Sequence, residues 1–326
     1  MRTLLRFSTM LAFGAAGLAA ADLRIGMIGL DTSHVTVFTA AFNDPKSPNH
    51  VPGAKVVAAF KGGSADIESS ASRVEGYTKQ LVEKYGVKLY DTIEELARNV
   101  DAIMIESVDG RPHLDQFRRV LAAKKPVFID KPLPGSLRDG LEIARLAREH
   151  GVPVFSSSSL RYGADPIGSK IEKIGGALTA YSVGPAELEP HHPDLFWYGI
   201  HGVEALFTVL GPGCTKIVRT HTDKTDVVTG VWADGRVGTM QGNRNGFKGY
   251  GVTVIGPKGT VTVGEKHSYA GLLTEVMAFF QTKISPVPLE TTIEILAFME
   301  AADESKRRGG TPVTLAEVMK KAGATL

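Results

Sequence analysis

Two side chains in this sequence have the types and local settings that proton transfer requires. Lys131 directly follows the apolar segment Pro126–Asp130, which predicts a buried parallel strand, and open α/β sheets bind their ligands at the carboxyl ends of such strands. His201 lies in the first turn of a predicted helix over Gly199–Leu210, where the helix dipole disfavours the protonated imidazole. The neutral ring can then remove the proton of a hydroxyl while hydride leaves the same carbon. The alternative is that His201 is a hydrogen-bonded core residue and Lys131 a solvated surface residue.

A glycine-containing turn joins the first predicted strand to the first predicted helix. Gly29 matches the first glycine of the dinucleotide-binding pattern Gly-x-Gly-x-x-Gly, whereas Asp31 and His34 stand at the positions of the second and third. The second glycine normally lets the backbone approach a pyrophosphate at the helix N-terminus, and Asp31 adds bulk and negative charge there. The segment is therefore either a diverged nucleotide-binding turn or a plain strand-to-helix connection with Asp31, Thr32 or Ser33 as the N-cap.

The end of the second predicted strand, Lys55–Phe60, bears on the identity of a nucleotide. Nucleotide-binding domains that prefer NAD place an acid there for the ribose hydroxyls. Here Lys61 follows the strand, Ser64 lies three residues further along, and the first acid is Asp66. A lysine and a serine suit a 2′-phosphate by charge and by hydrogen bonding. We therefore expect NADP to bind at least as well as NAD if Asp31 turns away to cap the helix, and neither to bind otherwise.

A histidine-rich segment offers imidazole and carboxylate groups of the kind that bind zinc or another divalent metal. It contains His191, His192 and Asp194, and His201 follows. Pro193 interrupts any helical ligand spacing, and the side chains of two adjacent histidines point apart. We therefore predict no metal site.

The first half of the chain alternates strands and helices, which predicts a doubly wound parallel sheet. The predicted strands cover residues 23–30, 55–60, 102–106, 126–130 and 153–156. The predicted helices cover residues 35–42, 66–85, 92–99, 112–124 and 136–150. Ser136 with Asp139 forms a capping-box pattern for the last of these helices, and Gly151 ends it.

The pattern changes after about residue 157, where β-rich segments and longer helices indicate an α+β domain with a mostly antiparallel sheet. Its predicted helices are residues 165–174, 199–210, 272–282 and 291–307. Its predicted strands are residues 216–221, 227–233, 237–241, 251–255 and 260–263. We therefore divide the chain into a Rossmann-type domain over residues 22–156 and an α+β domain for substrate binding and oligomerisation over residues 157–326.

Three motifs resemble those of the Gfo/Idh/MocA oxidoreductase family. The turn at Gly29 resembles its dinucleotide turn, Asp130-Lys131-Pro132 resembles its Glu-Lys-Pro motif, and Gly199-x-His201 resembles the end of its Asp-x-Gly-x-His motif. Weaker matches are Arg161-Tyr162 and the turn 256–260. Trp197 stands where that family has the aspartate of the third motif; Tyr198 and Glu204 are candidates to replace this acid.

The resemblance implies a nicotinamide-dependent oxidoreductase that acts on a hydroxyl of a sugar or polyol. It implies that Lys131 touches both the nicotinamide ribose and the substrate hydroxyl. The expected catalytic residues are Lys131, His201 and Tyr198. The expected cofactor-binding residues, for NADP or NAD, are Gly29, Asp31, Thr32, Ser33, His34, Lys61, His113 and Lys131. The expected substrate-binding residues are Arg161, His192 and Trp197.

The N-terminus predicts export. Arg2 and Arg6 precede a short apolar stretch that ends in small residues, so residues 1–21 are interpreted as a signal peptide cleaved before Asp22. Removing these two arginines leaves equal numbers of basic and acidic residues, which argues against a nucleic-acid partner. The lone Cys214 excludes an intramolecular disulfide. We expect no membrane span in a periplasmic or secreted product, and we expect a homo-oligomer.

Two further functions remain open from the sequence. One is an enzyme without net redox change, a lyase or hydrolase that oxidises its substrate transiently on a tightly held NAD(P). The other is an exported sugar-binding protein without a cofactor. Asp31, His34 and the missing acid at Trp197 favour the binding protein, whereas Lys131 and His201 oppose it.

Overall fold

The first sheet of the protein is a six-stranded parallel sheet. The computed structural model describes residues 21–163, 167–265 and 268–324. The strands are β1 (Leu23–Ile28), β2 (Ala54–Phe60), β3 (Lys88–Leu89), β4 (Ala102–Ile105), β5 (Val127–Ile129) and β6 (Val154–Phe155). Their order in the sheet is β3-β2-β1-β4-β5-β6. This order confirms the predicted Rossmann-type arrangement, in which ligands bind where the strand order reverses, beside β1 and β4.

The helices of this half connect successive strands. They are α1 (Ser33–Asn43), α2 (Glu68–Ala71), α3 (Val74–Tyr85), α4 (Ile93–Arg98), α5 (His113–Val120) and α6 (Leu137–His150). Short 3-10 turns cover Leu121–Ala123 and Ser159–Tyr162. The Ser136 hydroxyl accepts from Asp139 N at 3.2 Å, as the capping pattern predicted. The predicted helix over residues 66–85 is divided instead into α2 and α3, and Ser70 in α2 donates its hydroxyl to Asp31 of the β1–α1 turn.

A seven-stranded sheet occupies the second half. Its strands are β7 (Thr179–Pro185), β8 (Cys214–His221), β9 (Thr225–Trp232), β10 (Val237–Asn243), β11 (Gly251–Gly256), β12 (Gly259–Val263) and β13 (Val313–Thr314). The order is β12-β11-β7-β10-β9-β8-β13. Among the described strands of this second sheet, only β7 and β10 pair in parallel, so the prediction of a mostly antiparallel sheet is confirmed.

Six helices accompany the second sheet. They are α7 (Ile167–Lys173), α8 (Asp194–Trp197), α9 (Ile200–Leu210), α10 (Tyr269–Thr282), α11 (Leu289–Arg307) and α12 (Leu315–Ala322). The first two residues of the predicted helix 165–174 lie outside the described residues. No helix within the described part of the chain is long and apolar enough to cross a membrane.

The sequence analysis missed β7, although it is a central strand. Its inward-facing residues are small, namely Ala180, Ser182 and Gly184, so the segment lacks the apolar alternation of a typical strand. The small side chains allow α9 to pack closely, and the Ser182 hydroxyl donates to the carbonyl of Gly202 at 2.9 Å. The close packing of β7 against α9, and not an apolar pattern in its own sequence, therefore determines this strand.

The last part of the chain returns to the first sheet. Leu272, Val276 and Phe279 of α10 are buried in the same core as Phe38 and Phe42 of α1. Burying each such side chain stabilises the fold by roughly 1.5–3 kcal/mol. Helix α10, from the second half of the chain, is therefore part of the core that covers the first sheet.

Candidate active site

A cavity of about 280 Å³ lies where the carboxyl ends of β1, β4 and β5 face the start of α9. Seven residues predicted from the sequence line it, namely Thr32, Ser33, His34, Lys131, Trp197, Tyr198 and His201. Arg73, Tyr250 and Tyr269 complete much of its polar wall, and the sequence analysis did not anticipate them. The fold thus brings together residues from both halves of the chain in one small polar pocket.

The imidazole of His201 is held by a hydroxyl. Its Nδ1 atom lies 2.8 Å from Oγ of Ser158, and its ring meets the rings of Tyr198 and Tyr250 edge to face, with centroids 5.5 and 5.9 Å away. Ser158 lies three residues after β6, at the junction of the two halves, so this contact connects the end of the first sheet to α9. In this chain Trp197 stands in place of the expected acid, and the group that faces Nδ1 of His201 is the hydroxyl of Ser158.

Glu204, one candidate to replace that acid, is engaged elsewhere. Its carboxylate accepts from Nε of Arg161 at 2.7 Å and from the hydroxyl of Ser157 at 2.9 Å. Arg161 was expected to bind substrate, but it does not line the cavity and forms this nearly buried ion pair instead. The pair ties the 3-10 turn after β6 to α9 and so supports Ser158 beside His201.

Lys131 lies at the cavity wall, two residues after the end of β5. Its Nζ atom is 5.8 Å from the ring centroid of Tyr198, and the Lys131–Pro132 peptide is cis. Lys131 and Tyr198, two of the three predicted catalytic residues, are therefore neighbours across the cleft. His201, the third, lies three residues after Tyr198.

The β1–α1 turn passes close to the loop after β4 at Gly29. Gly29 has a φ of +87°, and a Cβ there would lie 2.2 Å from Oγ of Ser107. Thr32, one of the three candidate N-caps, caps α1 by accepting from His34 N at 3.4 Å. The position of Gly29 therefore requires glycine, because β4 and its following loop pass too close for a side chain.

Asp31 points into the domain. It is completely buried, accepting from the hydroxyl of Ser70 at 2.6 Å and from Val108 N at 2.9 Å. Burial raises the pKa of its carboxyl, while the bonds from Ser70 and Val108 oppose the rise. The expectation that Asp31 caps α1 was wrong. Its carboxylate instead joins the β1–α1 turn to α2 and to the loop after β4.

The outer half of the nucleotide groove is crossed by hydrogen bonds and ion pairs. The Ser64 hydroxyl donates to Asp109 at 2.5 Å, and Arg111 binds both Asp109 and Asp66 through its guanidinium group. These contacts connect the loop after β2 to the loop after β4, the two sides between which the adenosine part of a dinucleotide binds in a Rossmann domain. Lys61, nearby, pairs with the exposed Glu75 at 2.9 Å.

Two predicted histidines lie beneath the surface and not in the cavity. His113 is completely buried, with its ring nitrogens near the carbonyl oxygens of Ser107 and Pro132, and so connects the loop after β4 to the Lys131–Pro132 turn. Nε2 of His192 accepts from Gly110 N at 3.1 Å. Burial lowers the pKa of His192 to about 4.

Below the cavity, three ionisable side chains form a cluster. Nδ1 of His34 lies 2.6 Å from Oδ2 of Asp130, and its Nε2 lies 3.2 Å from the hydroxyl of Tyr269. Glu106, immediately after β4, completes the cluster and is completely buried. Burial raises the pKa of Asp130, but the nearby His34 and Lys131 outweigh it and lower that pKa to about 2.

The sequence analysis missed Glu106, although a signal was present. Glu106 and Asp130 each follow an apolar strand directly, in the segments AIMIE and PVFID. Acids at the ends of neighbouring parallel strands lie together at the carboxyl edge of the sheet, but from sequence the two strands were not known to be neighbours.

A larger cavity, of about 890 Å³, lies between α6, α11 and α12. None of the residues predicted for catalysis, cofactor or substrate lines it. Its ionisable side chains include Arg145 and Glu142, which form an exposed ion pair with each other. We therefore place the chemistry in the smaller cavity, where the titratable residues from both halves converge.

The structure combines a Rossmann-type parallel sheet, a second and mostly antiparallel sheet, and a polar cavity lined by residues from both halves of the chain. Residues 23–158 match the family model described as "Oxidoreductase family, NAD-binding Rossmann fold" (Gfo/Idh/MocA). This part of the chain is similar to the NAD-binding Rossmann domain of that oxidoreductase family. A search of curated proteins found no match to the chain.

Solved structures share the fold over nearly the whole chain. Apo scyllo-inositol dehydrogenase from Lactobacillus casei superposes with a TM-score of 0.71 at 16% identity, covering 91% of this chain and 99% of that one. A probable dehydrogenase from Thermotoga maritima has a TM-score of 0.71 at 21% identity, covering 91% and 100%. Myo-inositol dehydrogenase from L. casei, solved with NAD(H) and myo-inositol, has a TM-score of 0.70 at 16% identity, covering 90% and 96%.

Proposed function

We propose that the protein is an NAD(P)-dependent oxidoreductase that acts on a hydroxyl group of a sugar or polyol. The observation that carries the proposal is the convergence of Lys131, Tyr198 and His201 on one cavity. The match of residues 23–158 to the oxidoreductase family model and the inositol dehydrogenases of similar fold support the same class of reaction and substrate.

In this proposal, His201 is the base that takes the proton of the substrate hydroxyl. In this role, Nδ1–H of His201 would donate to the Ser158 hydroxyl, 2.8 Å away, and the lone pair would be on Nε2. The ammonium group of Lys131 orients the substrate oxygen and stabilises the negative charge that develops on it. Tyr198 and Tyr250 supply hydroxyls and ring faces against which a sugar ring can pack.

A nicotinamide cofactor fits the residues of this structure at one end only. The first turn of α1, with Thr32 and Ser33, and Lys131 border the cavity where the nicotinamide end would lie. The adenosine end does not fit the present arrangement, because Asp109 and Arg111 bridge to Ser64 and Asp66 across its place. A dinucleotide also exceeds the cavity of about 280 Å³, since drug-sized ligands already occupy roughly 300–1,000 Å³. We therefore propose that binding requires the loops after β2 and β4 to separate.

We further propose that NADP binds at least as well as NAD, because the Asp31 carboxylate, although it does not cap α1, is buried against Ser70 and Val108. Lys61 supports this preference, since its charge suits a 2′-phosphate once it leaves Glu75. Calorimetric titration with both oxidised nucleotides tests the proposal. Clear preference for NAD would contradict the argument from Lys61.

The test of the catalytic residues uses turnover of a panel of sugars and polyols, inositols included, followed as reduction of NAD or NADP. Lys131→Ala and His201→Ala should each lower kcat by a hundredfold or more, within the roughly 10²–10⁴ typical of general acid–base groups. The matched control is His191→Ala, since that histidine is exposed and pairs only with Glu189 among the described residues. Near-normal turnover in either cavity variant would remove that residue from the mechanism.

The closed adenosine end favours a second candidate function. A sugar-binding protein without a cofactor would retain the polar cavity and keep the bridges from Asp109 and Arg111 permanently. This candidate predicts heat on titration with a sugar or polyol and none with either nucleotide. A redox-neutral lyase or hydrolase with tightly bound NAD(P) predicts instead that nucleotide is released when the purified protein is denatured.

We also propose that the chain is exported to the periplasm or beyond the cell. The support is the sequence of residues 1–21, most of which lie outside the described residues. Mass spectrometry of protein from the native compartment should give a mature chain that begins at Asp22. An intact Met1 would contradict the proposal.

Finally, we propose a homo-oligomer that pairs the open face of the second sheet. Tyr181, Val237 and Ile255 are 40%, 36% and 46% exposed on neighbouring strands, and Tyr181 alternates with the small residues that face α9. Association would bury these apolar side chains. Light scattering should show a dimer or larger species at micromolar concentration, and a monomer would overturn the proposal.

A further inference from the structure

We propose that His34, Glu106 and Asp130 form a binding site for a divalent transition-metal ion at the floor of the cavity. Each residue offers one ligand atom, an imidazole nitrogen or a carboxylate oxygen, and these atoms all lie within 4.8 Å of one another. This inference goes beyond the proposed oxidoreductase function and does not depend on it.

The sheet itself places the two carboxylates side by side. Ile105 of β4 pairs in register with Ile129 of β5, and the acids are the next residue on each strand. Asp130 N donates to the carbonyl of Ile105 at 2.8 Å, which extends the ladder by one step. Neighbouring residues in register on parallel strands direct their side chains to the same face. His34, in the first turn of α1, then approaches the pair from above.

Glu106 supplies the observation that points to a cation. It is completely buried, yet neither of its carboxylate oxygens has a hydrogen-bond partner among the described residues. The Oδ1 atom of Asp130 is buried and without such a partner as well. Buried carboxylates are costly unless they are paired, hydrogen-bonded or bound to a metal. A cation bound to one oxygen of each carboxylate would offset the buried charge and give Glu106 the partner that it lacks among the described residues.

A proton is the competing occupant. Burial and the neighbouring Asp130 raise the pKa of Glu106 well above its usual range, although Lys131 opposes the rise. Protonation would remove the charge of Glu106 but would still need an acceptor for the new O–H group. A metal ion requires the deprotonated carboxylate of Glu106, whereas a proton converts that carboxylate to the neutral acid.

The ligand set indicates the class of metal. One imidazole and two carboxylates suit Zn²⁺, Mn²⁺ or Fe²⁺ better than Mg²⁺ or Ca²⁺, which prefer oxygen ligands alone. The hydroxyl of Tyr269 lies 3.2 Å from Nε2 of His34, and it can accept from Nε2–H so that Nδ1 is left as the ligand. Such support for a ligating histidine is usual in metal sites.

The site would be open on one side. His34 also lines the cavity that contains Lys131 and His201, so a metal held by three protein ligands would keep positions free towards the pocket. Open coordination of this kind is typical of catalytic metal sites. A water molecule or a substrate hydroxyl would take the free position. The metal would lower the pKa of that bound water or hydroxyl group.

The experiment measures metal binding without turnover. Chelator-treated full-length mature protein is titrated calorimetrically with Mn²⁺ and with Zn²⁺, and thermal unfolding is recorded with and without each ion. We expect stoichiometric binding by the wild type and a higher Tm. Glu106→Gln, which keeps the shape and removes the charge, should weaken binding by at least the roughly 10–100-fold seen when even supporting residues are lost. His34→Asn should weaken it similarly.

The matched control is Glu75→Gln, in the same domain but exposed and paired with Lys61. Its affinity should equal that of the wild type. Absence of binding in the wild type, or equal affinity in wild type and Glu106→Gln, would overturn the proposal. A metal-independent gain of stability in Glu106→Gln, without any metal binding by the wild type, would assign the site to a proton instead. None of these outcomes depends on nucleotide or sugar, so failure of the oxidoreductase proposal would leave the metal result intact.

Discussion

The hydroxyl of Ser158 lies 2.8 Å from Nδ1 of His201, across the junction between the two halves of the chain. Ser158 also accepts from Leu160 N at 3.3 Å, which fixes the direction of its hydroxyl within the 3-10 turn. A serine oxygen therefore holds the ring of the proposed base, in a chain where Trp197 stands in the place of the acid. The contact makes Ser158 a positioning residue for His201.

Removal of this hydroxyl should affect kcat more than KM. We expect Ser158→Ala to lower kcat about tenfold, since one hydrogen bond to a group that becomes charged is worth roughly 1.5 kcal/mol. KM should change little, because Ser158 does not line the cavity. Steady-state kinetics on the best substrate of the panel provide the measurement. Ser158→Thr, which retains the hydroxyl, should recover most of kcat; if it behaves like alanine, the hydroxyl is not what positions His201.

Opening the outer end of the groove should strengthen nucleotide binding. Arg111→Ala removes the guanidinium group that joins Asp66 to Asp109 across the place of the adenosine. If this bridge obstructs the nucleotide, calorimetry should show affinity for NAD or NADP at least several-fold higher than in the wild type. Arg118→Ala, which removes an exposed ion pair with Glu142 elsewhere in the domain, is the control. Weaker binding in Arg111→Ala would mean that the arginine contacts the nucleotide.

A side chain at Gly29 should destabilise the first domain severely. Its Cβ would lie 2.2 Å from Oγ and 2.6 Å from N of Ser107, at a φ of +87°. We expect Gly29→Ala to lower the free energy of unfolding by about 3 kcal/mol or more, as backbone strain and a clash combine. Gly151→Ala is the comparison, since its φ is +63° with nothing within 4 Å of the added Cβ, and should cost only about 1–2 kcal/mol. Urea unfolding measures both, and similar losses would argue against the clash.

Acid should destabilise the protein partly through His192. Burial lowers its pKa to about 4 in the folded protein, against about 6.5 in an unfolded chain. Between these two values the unfolded chain binds more protons, so the stability from His192 is complete above about pH 6.5 and is lost as the pH falls towards 4. The loss amounts to roughly 3 kcal/mol.

The measurement is urea unfolding of wild type and His192→Gln at several pH values in this range. Glutamine can still accept from Gly110 N but does not titrate. We expect the stability of the wild type to fall more steeply with acid than that of the variant. Parallel curves would show that His192 does not carry this dependence.

Local patterns in the sequence were sufficient for the parts of the fold that depend on periodicity. The apolar segments before Gly29, Glu106 and Lys131 predicted β1, β4 and β5, because buried parallel strands are continuously apolar. Capping and glycine signals located α6. By contrast, α12 was missed, although Thr314 caps it by accepting from Glu317 N at 3.2 Å. Its Thr-x-x-Glu pattern was present in the sequence.

The sequence by itself determined that Lys131 and His201 are candidates, because strand ends and helix starts are local features. Only the tertiary structure decided what surrounds them. The direction of Asp31 depends on Ser70 and Val108, which are distant in the chain. The meeting of Glu106 with Asp130 depends on the register of β4 against β5. Strand neighbours and register are set by long-range packing of the whole sheet, and no window of sequence contains that information.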